Sequence, residues 1–444
     1  MLATRRQFLA AGSLASATVA FGAIRSSADD RPRVTRPRAT DGDSVHEPKW
    51  DEMPVITVGR SNADLNGNDD KVLQAAIDYM GRMGGGTVKV LPGTYTLRAS
   101  LHLPSGLRLM GSGPDSIITR IPSTTVKLAA DSDWYDQEVT LAEEGGFRVG
   151  DSVVLQAKNP HNQGATVIKR TLVGRSGKRF KLNDGLRENL WLSGSPTCSS
   201  LFPLLTSERT ADVMIEDIVL DGNRANVENF NGNYGGCIFI QDCNRYSFRR
   251  VEARNYNGDG ISFQICHDVL VDECNSHDNA DLGVHPGSGS QRPLIRNCRL
   301  ERNGLGLFWC WGVKYGLAEG NTISDNVNYG VSIGHNDTDN VMRHNRITGS
   351  GKVGILFRDE NRGEDFWANR NTIEENVIEN SGGPEGIAID IQGKTKDVRL
   401  ARNEIRETRE PMKRIGIRVS AASERIDLTE NKFDGFYKDI ERLT

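Results

Sequence analysis

The sequence predicts an all-β protein: a right-handed parallel β-helix with an N-terminal capping helix and a small inserted β-unit. The first observation is a repeated phrase, in which a glycine is followed by alternating apolar and variable residues. Repetition at a fixed period of this length indicates a repeat architecture. The glycines that begin the phrase are Gly236, Gly260, Gly283, Gly306, Gly330, Gly354, Gly386 and Gly416.

The content of each repeat favours strands over helices. Every unit consists of short alternating runs separated by Asn, Gly, Asp and Ser, which is typical of strands and turns. Three short strands fit into one repeat, for example ISFQI, then VLVDE, then the apolar step before the next glycine. At about 3.3 Å per residue, one repeat makes one rung of a three-faced coil. Stacked rungs then form three parallel sheets.

A second periodic register, of asparagines, supports the coil. Asparagine tolerates the left-handed backbone of a tight bend, and stacked asparagines form hydrogen bonds along a coil. We interpret these residues as structural and exclude them from the site. They are Asn297, Asn321, Asn345, Asn376, Asn403 and Asn431.

The chain begins with a segment typical of twin-arginine export. The pair Arg5-Arg6 precedes an apolar run over residues 9–24, and small residues end at Ala28. This order predicts a signal peptide over residues 1–28 and a periplasmic or extracellular protein; the alternative is an uncleaved anchor. The run is short and rich in Ala, Gly and Ser, so we expect no stable membrane span in the mature protein.

The rest of the chain divides into a linker, a coil and an insertion. Residues 29–50 are polar and predict a linker. Residues 51–126 are expected to form an N-terminal cap and the first coils, and residues 204–444 the main coils. In the cap, Asn68 is a candidate N-cap for a helix from about residue 69 to 83, which would cover the open end of the coil.

Residues 127–203 interrupt the rung pattern and predict a small inserted β-unit. Such a unit is placed to wall one side of a groove. Its aromatic residues Trp134, Tyr135 and Trp191 are expected to pack into its own core, with contact to sugars as the alternative.

Between Val55 and Gly113 the chain resembles the pectate-lyase-like superfamily of right-handed β-helix proteins. The residues that carry the resemblance are Asp69-Asp70 before AIDYM, the triple glycine from Gly84, LPGTY and LRLMGSG. The resemblance continues through the rungs to the C-terminus, over some three quarters of the chain. It implies the fold, and it leaves the activity open, because the superfamily contains lyases, hydrolases, epimerases and inactive adhesins.

The composition limits the classes of binding partner that we expect. The net charge is −4 and no basic cluster alternates with aromatic residues, so nucleic acid is not expected. A polysaccharide or oligosaccharide is the expected partner, and the oligomeric state is left open. Of the seven cysteines, Cys274 and Cys298 occupy nearly equivalent places on neighbouring rungs and are expected to be stacked buried thiols.

Alternation within each phrase separates core from surface. The first and third residues after each glycine are apolar and are expected to point inward: Ile261 and Phe263, Leu307 and Trp309, Val331 and Ile333, Ile355 and Phe357, Ile387 and Ile389. The second and fourth point outward and stack about 4.8 Å apart. We expect the second position to align Ile238, Ser262, His285, Phe308, Ser332, Leu356, Ala388 and Arg418. The fourth position is expected to align Ile240, Gln264, Gly287, Cys310, Gly334, Arg358, Asp390 and Ser420.

The outward positions gather polar and ionisable groups around a trough lined by small residues. We predict catalytic roles for His285, His335, Arg358, Asp359 and Asp390. We predict substrate-binding roles for Gln264, Trp311, Lys314, Asp337 and Glu360. In this interpretation Asp359 orients His335 from one rung away. The alternatives are ordinary packing for His285, turn chemistry for His335 and a solvated charge cluster around residues 358–360.

These groups suit removal of the proton beside a uronate carboxylate, which needs a base and a cation. The first hypothesis is therefore a secreted polysaccharide lyase that acts on an acidic polysaccharide by β-elimination. A glycoside hydrolase with paired carboxylates, a C5-epimerase and a non-catalytic glycan-binding protein are the alternatives. The phrase DLGVHPG loosely resembles alginate epimerases, although here His285 precedes Pro286. Calcium is compatible with the acidic residues, but no loop of fixed spacing requires it.

Overall fold

In the computed structural model, residues 49–444 are described, and they form a right-handed parallel β-helix. The predicted fold class is thereby confirmed. The predicted signal peptide and nearly all of the predicted linker lie outside the described residues. Trp50, the last residue of that linker, is buried at the start of a short 3-10 helix, Trp50–Glu52.

The N-terminal end of the coil is covered by the helix Asp70–Arg82, whose buried face includes Leu73, Ile77 and Met80. Its N-cap is Asp69 and not the predicted Asn68, because the Asp69 carboxylate accepts hydrogen bonds from the first free backbone N–H groups. The helix packs on the first coil strands. These strands are Val55–Gly59, Leu65–Asn66, Gly86–Val90, Gly93–Leu97, Leu101–His102 and Leu107–Met110. The strand Ser116–Arg120 follows them in the first coils.

One face of the coil is an eleven-stranded parallel sheet, called here the front sheet. Each rung of the coil contributes one strand to this sheet, and the strands follow each other in chain order. They are Leu101–His102, Leu205–Glu208, Gly236–Gln241, Asp259–Gln264, Leu282–Gly287, Leu305–Phe308, Tyr329–Ile333, Val353–Phe357, Ile387–Ile391, Ile415–Val419 and Lys438–Arg442.

The other two faces of the coil form the rear rows. At the start of the coil these two rows are not separate, because two long strands, Ala211–Asp221 and Asn244–Arg254, bend across both. The first rear row continues with Leu270–Asp272, Leu294–Arg296, Leu317–Glu319, Val341–Arg343, Thr372–Glu374, Arg399–Ala401 and Asp427–Thr429. The second continues with Asn275–His277, Arg299–Glu301, Thr322–Ser324, Arg346–Thr348, Val377–Glu379, Glu404–Arg406 and Lys432–Asp434.

The sequence analysis gave the same asparagines two roles, a left-handed backbone and a stacking hydrogen bond. In the bend between the rear rows, two adjacent residues share these roles. One residue in each bend has a left-handed backbone, as Asn297 does at φ 55°. The next position carries the stacking asparagine, and Asn321 Nδ2 donates to Asn345 Oδ1 at 2.8 Å. The ladder then runs through the predicted residues Asn376, Asn403 and Asn431. Asn297 was wrongly placed in it, because Cys298 occupies that rung.

The coil core confirms most of the inward positions. Ile261, Phe263, Leu307, Trp309, Val331, Ile333, Ile355, Phe357 and Ile389 all belong to one continuous buried cluster. Ile387 is buried but lies outside this cluster, and Ile391 takes the expected place instead. Cys274 and Cys298 are free and buried, as expected for stacked thiols.

Residues of the insertion form a separate six-stranded antiparallel sheet. Its strands are Thr125–Lys127, Glu138–Thr140, Ser152–Lys158, Ala165–Ser176, Arg179–Leu182 and Thr197–Ser199. Its core is built from aliphatic residues together with Phe147 and Phe180. The expectation that its aromatics fill this core was wrong for Trp134 and Tyr135, which are 54% and 63% exposed. Trp191 is half-buried and likewise outside the core.

Candidate functional site

A cleft of about 910 Å³ lies over the front sheet. Its floor is formed by outward side chains of neighbouring rungs, and the segment 229–234 forms part of its wall. Amide and aromatic side chains dominate the lining. The lining includes Asn229, Asn231, Tyr234, Gln241, Asp259, Gln264, Asp281, His285, Phe308, Cys310, Trp311, Asn328, Tyr329, Arg358 and Glu360.

The strand register fixes which side chains stack on this floor. One outward column contains Phe239, Ser262, His285, Phe308, Ser332, Leu356, Asp390 and Arg418. Arg418 lies where it was predicted, but Phe239 and Asp390 take the places predicted for Ile238 and Ala388. Ile238 pairs with Ile261 in the core, and Asp390 pairs with Leu356 because the loop before the Ile387–Ile391 strand is longer than the glycine spacing suggests.

The most distinctive group in the cleft is a carboxylate–imidazole pair. Asp259 and His285 are 0% and 2% exposed, and Asp259 Oδ2 lies 2.7 Å from His285 Nδ1. Ser262 Oγ lies 3.3 Å from the same nitrogen. The other ring nitrogen, Nε2, is buried and has no hydrogen-bond partner among the described residues. A carboxylate on Nδ1 fixes the ring and leaves Nε2 available to a ligand.

Two opposing effects act on Asp259. Burial raises the pKa of the Asp259 carboxyl, and the hydrogen bond with His285 opposes that rise. The Leu282 backbone N–H also donates to Asp259 Oδ1 at 3.1 Å. Both carboxyl oxygens are therefore held by neighbours, and the pair forms one buried unit beneath the cleft.

Arg358 forms the second group. Its guanidinium donates to Ser332 Oγ at 2.8 Å, to the Trp309 carbonyl at 3.1 Å and to Glu360 Oε2 at 3.1 Å. It also lies 4.4 Å from the centre of the Phe308 ring. Three of its five N–H donors are thus engaged. The other two have no hydrogen-bond acceptor among the described residues, although Asp337 Oδ2 lies 3.6 Å from a terminal nitrogen. Gly334 makes this geometry possible, since an added Cβ there would meet Arg358 at 2.2 Å.

Glu360 and Trp311 complete this side of the cleft. The indole Nε1 of Trp311 donates to Glu360 Oε1 at 3.2 Å. Gln264 lies at the far side, where its amide Nε2 donates to Ser262 Oγ at 3.3 Å. The structure therefore brings five of the predicted residues to one cleft: His285, Arg358, Gln264, Trp311 and Glu360.

Three predicted acidic residues are placed elsewhere. Asp337 is fully buried and accepts backbone N–H groups from Gly312, Val313 and Gly334, so it serves a turn and not a ligand. Burial raises the pKa of Asp337. Asp390 is held by Arg418 and by Gln392. Asp359 is exposed and is not part of the cleft lining.

His335 and Lys314 also lie outside the lining. His335 is not oriented by Asp359 as predicted, because its Nδ1 accepts the backbone N–H of Arg362 at 3.0 Å. Burial lowers the pKa of His335, which favours this acceptor state. Lys314 lies where the front sheet turns into the rear rows, with its backbone bridged to Gln291 and Thr338.

The sequence analysis missed Asp259, Tyr234, Tyr329 and Asp281. Asp259 carried a usable signal: it precedes the glycine, where the following rungs have Leu282, Leu305, Tyr329 and Val353. A carboxylate in a column that is otherwise largely apolar is costly unless it has a partner. The three other residues lie in turns or at strand ends, where polar and aromatic side chains are common.

Within residues 49–444, no group of three or more His, Cys, Asp or Glu is placed to hold a metal ion. The calcium hypothesis therefore gains no set of ligands from this part of the chain. No helix in the same range is long and apolar enough to cross a membrane.

The family model described as right handed beta helix region matches residues 217–363. A comparison with curated proteins found no match. Among solved structures, the chain is similar to the A-module of the Azotobacter vinelandii mannuronan C-5 epimerase AlgE4, at 16% identity and TM-score 0.47, covering 87% of this chain and 99% of that chain.

Two further structures have slightly higher TM-scores. The Streptococcus pneumoniae surface adhesin PfbA is 13% identical with TM-score 0.51, covering 86% of this chain and 93% of that chain. The Dettilon tailspike protein is 12% identical with TM-score 0.52, covering 86% of this chain and 62% of that chain. At such identities the likeness shows the fold alone. Together with the observed coil, the family model identifies the chain as a right-handed parallel β-helix protein.

Proposed function

We propose that the cleft binds a uronate-containing polysaccharide and cleaves it by β-elimination, with His285 as the general base. The observation that carries the proposal is the Asp259–His285 pair. A buried carboxylate holds Nδ1 at 2.7 Å, while Nε2 has no partner within the described chain. An imidazole fixed in this way is suited to accept a proton from a bound ligand.

In the proposed reaction, His285 Nε2 removes the proton from C5 of the uronate. The electron pair of that C–H bond forms the C4–C5 double bond, and the bond from C4 to the glycosidic oxygen breaks. The leaving oxygen takes a proton from a cleft tyrosine, for which Tyr234 and Tyr329 are the candidates. Arg358 uses its two remaining N–H donors to neutralise the uronate carboxylate, which stabilises the charge that develops on it.

The placement of the acidic residues favours this reaction over hydrolysis. Hydrolysis by paired carboxylates needs two carboxyl groups about 5–10 Å apart across the scissile bond. Asp390 is held by Arg418, and Asp337 is held by three backbone N–H groups. Of the carboxylates in the lining, Glu360 accepts from Trp311 and Arg358, and Asp281 accepts from Asn229. Since each of these carboxylates already has a partner, proton abstraction suits the cleft better.

A second candidate, glycan binding without turnover, is favoured by the charge of the lining. Asp259, Asp281 and Glu360 outnumber the one arginine, Arg358. Such a balance suits a neutral glycan held by amide and aromatic side chains better than a polyanion.

The test is an ultraviolet assay for unsaturated uronates on pectin, alginate and glycosaminoglycans, with reducing ends measured in parallel. We expect ultraviolet absorbance and new reducing ends together. Reducing ends without absorbance would replace the proposal with a hydrolase, and inversion at C5 without chain cleavage would replace it with an epimerase. Binding with no product at all would favour the second candidate.

A further inference from the structure

The segment 358–367 contributes Arg358 and Glu360 to the cleft lining and places Arg362 over Trp311. The guanidinium carbon of Arg362 lies 3.7 Å from the centre of the Trp311 ring. The edge of the same indole is fixed by its hydrogen bond to Glu360. One face of an oriented tryptophan is therefore occupied by a cation from the protein's own chain.

The backbone of this segment is anchored, while the Arg362 side chain is not. The Arg362 N–H donates to His335 Nδ1, and the His335 ring lies against Trp311 and Phe366 with centroids 5.6 Å and 5.5 Å away. The Arg362 side chain is 61% exposed, and its nearest carboxylate oxygen, on Glu360, is 3.9 Å away. Exposed cation–π contacts and exposed ion pairs of this kind are weak and exchange readily.

A sugar ring and a guanidinium compete for the same indole face. If a sugar takes the face, Arg362 is displaced toward the rim and needs a new anionic partner. Glu360 is a weak partner for it, because its charge is already shared with Arg358 and both of its oxygens already accept one hydrogen bond, from Trp311 and from Arg358. A carboxylate on the incoming sugar satisfies the displaced arginine, whereas a neutral sugar leaves it in water.

We propose that Trp311 and Arg362 form a second subsite of the cleft, specific for one carboxylated sugar residue. The sugar ring stacks on Trp311 and Arg362 turns outward to bind its carboxylate. The proposal takes its substrate class from the proposed function, and it requires no turnover. It gives Arg362 a role in selecting acidic over neutral chains.

The test measures binding by calorimetry in the His285→Gln background, so that no probe is consumed. The probes are oligogalacturonate, oligomannuronate and oligoguluronate, each with its carboxyl-reduced counterpart. Arg362→Gln keeps the backbone N–H that anchors the segment. Arg425→Gln is the matched control, since Arg425 is an exposed arginine paired with Asp397 away from the cleft.

We expect Arg362→Gln to weaken binding of the preferred oligouronide about tenfold, with the reduced counterpart and the Arg425→Gln control unchanged. Equal weakening of both probes, no weakening of either, or no uronide binding by the parent protein would overturn the subsite. Uronide binding that depends on Arg362, in a wild-type protein that releases no unsaturated product, would support the subsite and reject the lyase reaction. The two proposals therefore fail separately.

Discussion

Two buried carboxylates on the front sheet have nearly the same burial and opposite surroundings. Asp259 is 0% exposed and Asp390 is 1% exposed, and each pairs with a basic residue on the following rung. Asp390 accepts two hydrogen bonds from Arg418, one from Nε at 3.0 Å and one from a terminal nitrogen at 2.7 Å. Asp259 forms a hydrogen bond with one ring nitrogen of His285, and the second ring nitrogen has no partner in the described chain.

The two pairs differ in whether the basic residue keeps a hydrogen-bonding group for a ligand. A guanidinium that binds a carboxylate through two parallel hydrogen bonds forms a closed pair. An imidazole that binds through one nitrogen keeps the other as an unpaired acceptor. The Asp259–His285 pair is therefore suited to chemistry, while the Asp390–Arg418 pair is suited to holding two rungs together.

The closed pair is the common arrangement along this coil. An aspartate on one rung repeatedly binds the arginine at the equivalent place on the next, and these pairs contribute to stacking. They are Asp212–Arg245, Asp268–Arg292, Asp272–Arg296, Asp278–Arg302, Asp339–Arg370 and Asp397–Arg425. Asp259 departs from this pattern in two ways: its partner is a histidine, and His285 is in register with Ser262 and not with Asp259.

The largest expected effect is the loss of turnover in His285→Gln. Removing the proposed base lowers the turnover of the preferred polyuronide by about 10²-fold or more. The ultraviolet assay measures this loss, and thermal unfolding checks that the coil remains intact.

Arg418→Gln is the matched change in the closed pair, and we expect its turnover to stay within about twofold of wild type. If Arg418→Gln reduced turnover as much as His285→Gln, the distinction between the two pairs would be wrong.

Asp259→Asn is expected to give the next largest effect. An amide donates to Nδ1 instead of accepting from it, so the ring presents a proton at Nε2 and cannot act as a base. Turnover should fall about 10²-fold with little change in substrate binding, as measured by calorimetry.

Asp390→Asn provides the contrast for this prediction. It should keep its turnover but lose about 1–3 kcal/mol of unfolding free energy, because Arg418 loses its charged partner. Unchanged stability in Asp390→Asn, or full activity in Asp259→Asn, would contradict the roles assigned to the two carboxylates.

Much of the fold could be predicted because its signals are local and repeated. The glycine period and the alternation of apolar residues act within each rung, and the same signals recur along the chain. The asparagine ladder was also visible, although Asn297 was misplaced by one position. The left-handed bend residue and the stacking residue are adjacent, and at this rung asparagine occupies the bend position while Cys298 occupies the stacking position.

The site was harder to predict because it depends on register across loops of unequal length. The loop before Ile387–Ile391 shifts Asp390 to the column of Leu356, which separates it from Arg358. The same uncertainty made His335 and Asp359 look like partners, whereas a backbone N–H takes the place of the carboxylate. Every residue except proline has a backbone N–H, so the residue types do not reveal which side chain accepts a hydrogen bond from one.

The smallest expected effect concerns the segment 358–367, which contributes Arg358 and Glu360 to the cleft lining. Burial lowers the pKa of His335, Glu360 raises it, and Arg358 and Arg362 lower it further. The folded segment therefore favours neutral His335. Its contribution to local stability is present above the ordinary histidine pKa of about 6.5 and is lost as the pH falls through the lowered value.

Protonation of Nδ1 removes the acceptor for the Arg362 N–H, at a cost of about 1 kcal/mol for one hydrogen bond. We expect hydrogen exchange of residues 358–367, corrected for intrinsic rates, to rise about fivefold at low pH. His335→Gln should abolish this pH dependence. His344→Gln should retain it, since His344 lies in a rear bend beside Glu375. Equal behaviour of the two variants would show that the segment is held by its aromatic contacts and not by His335 Nδ1.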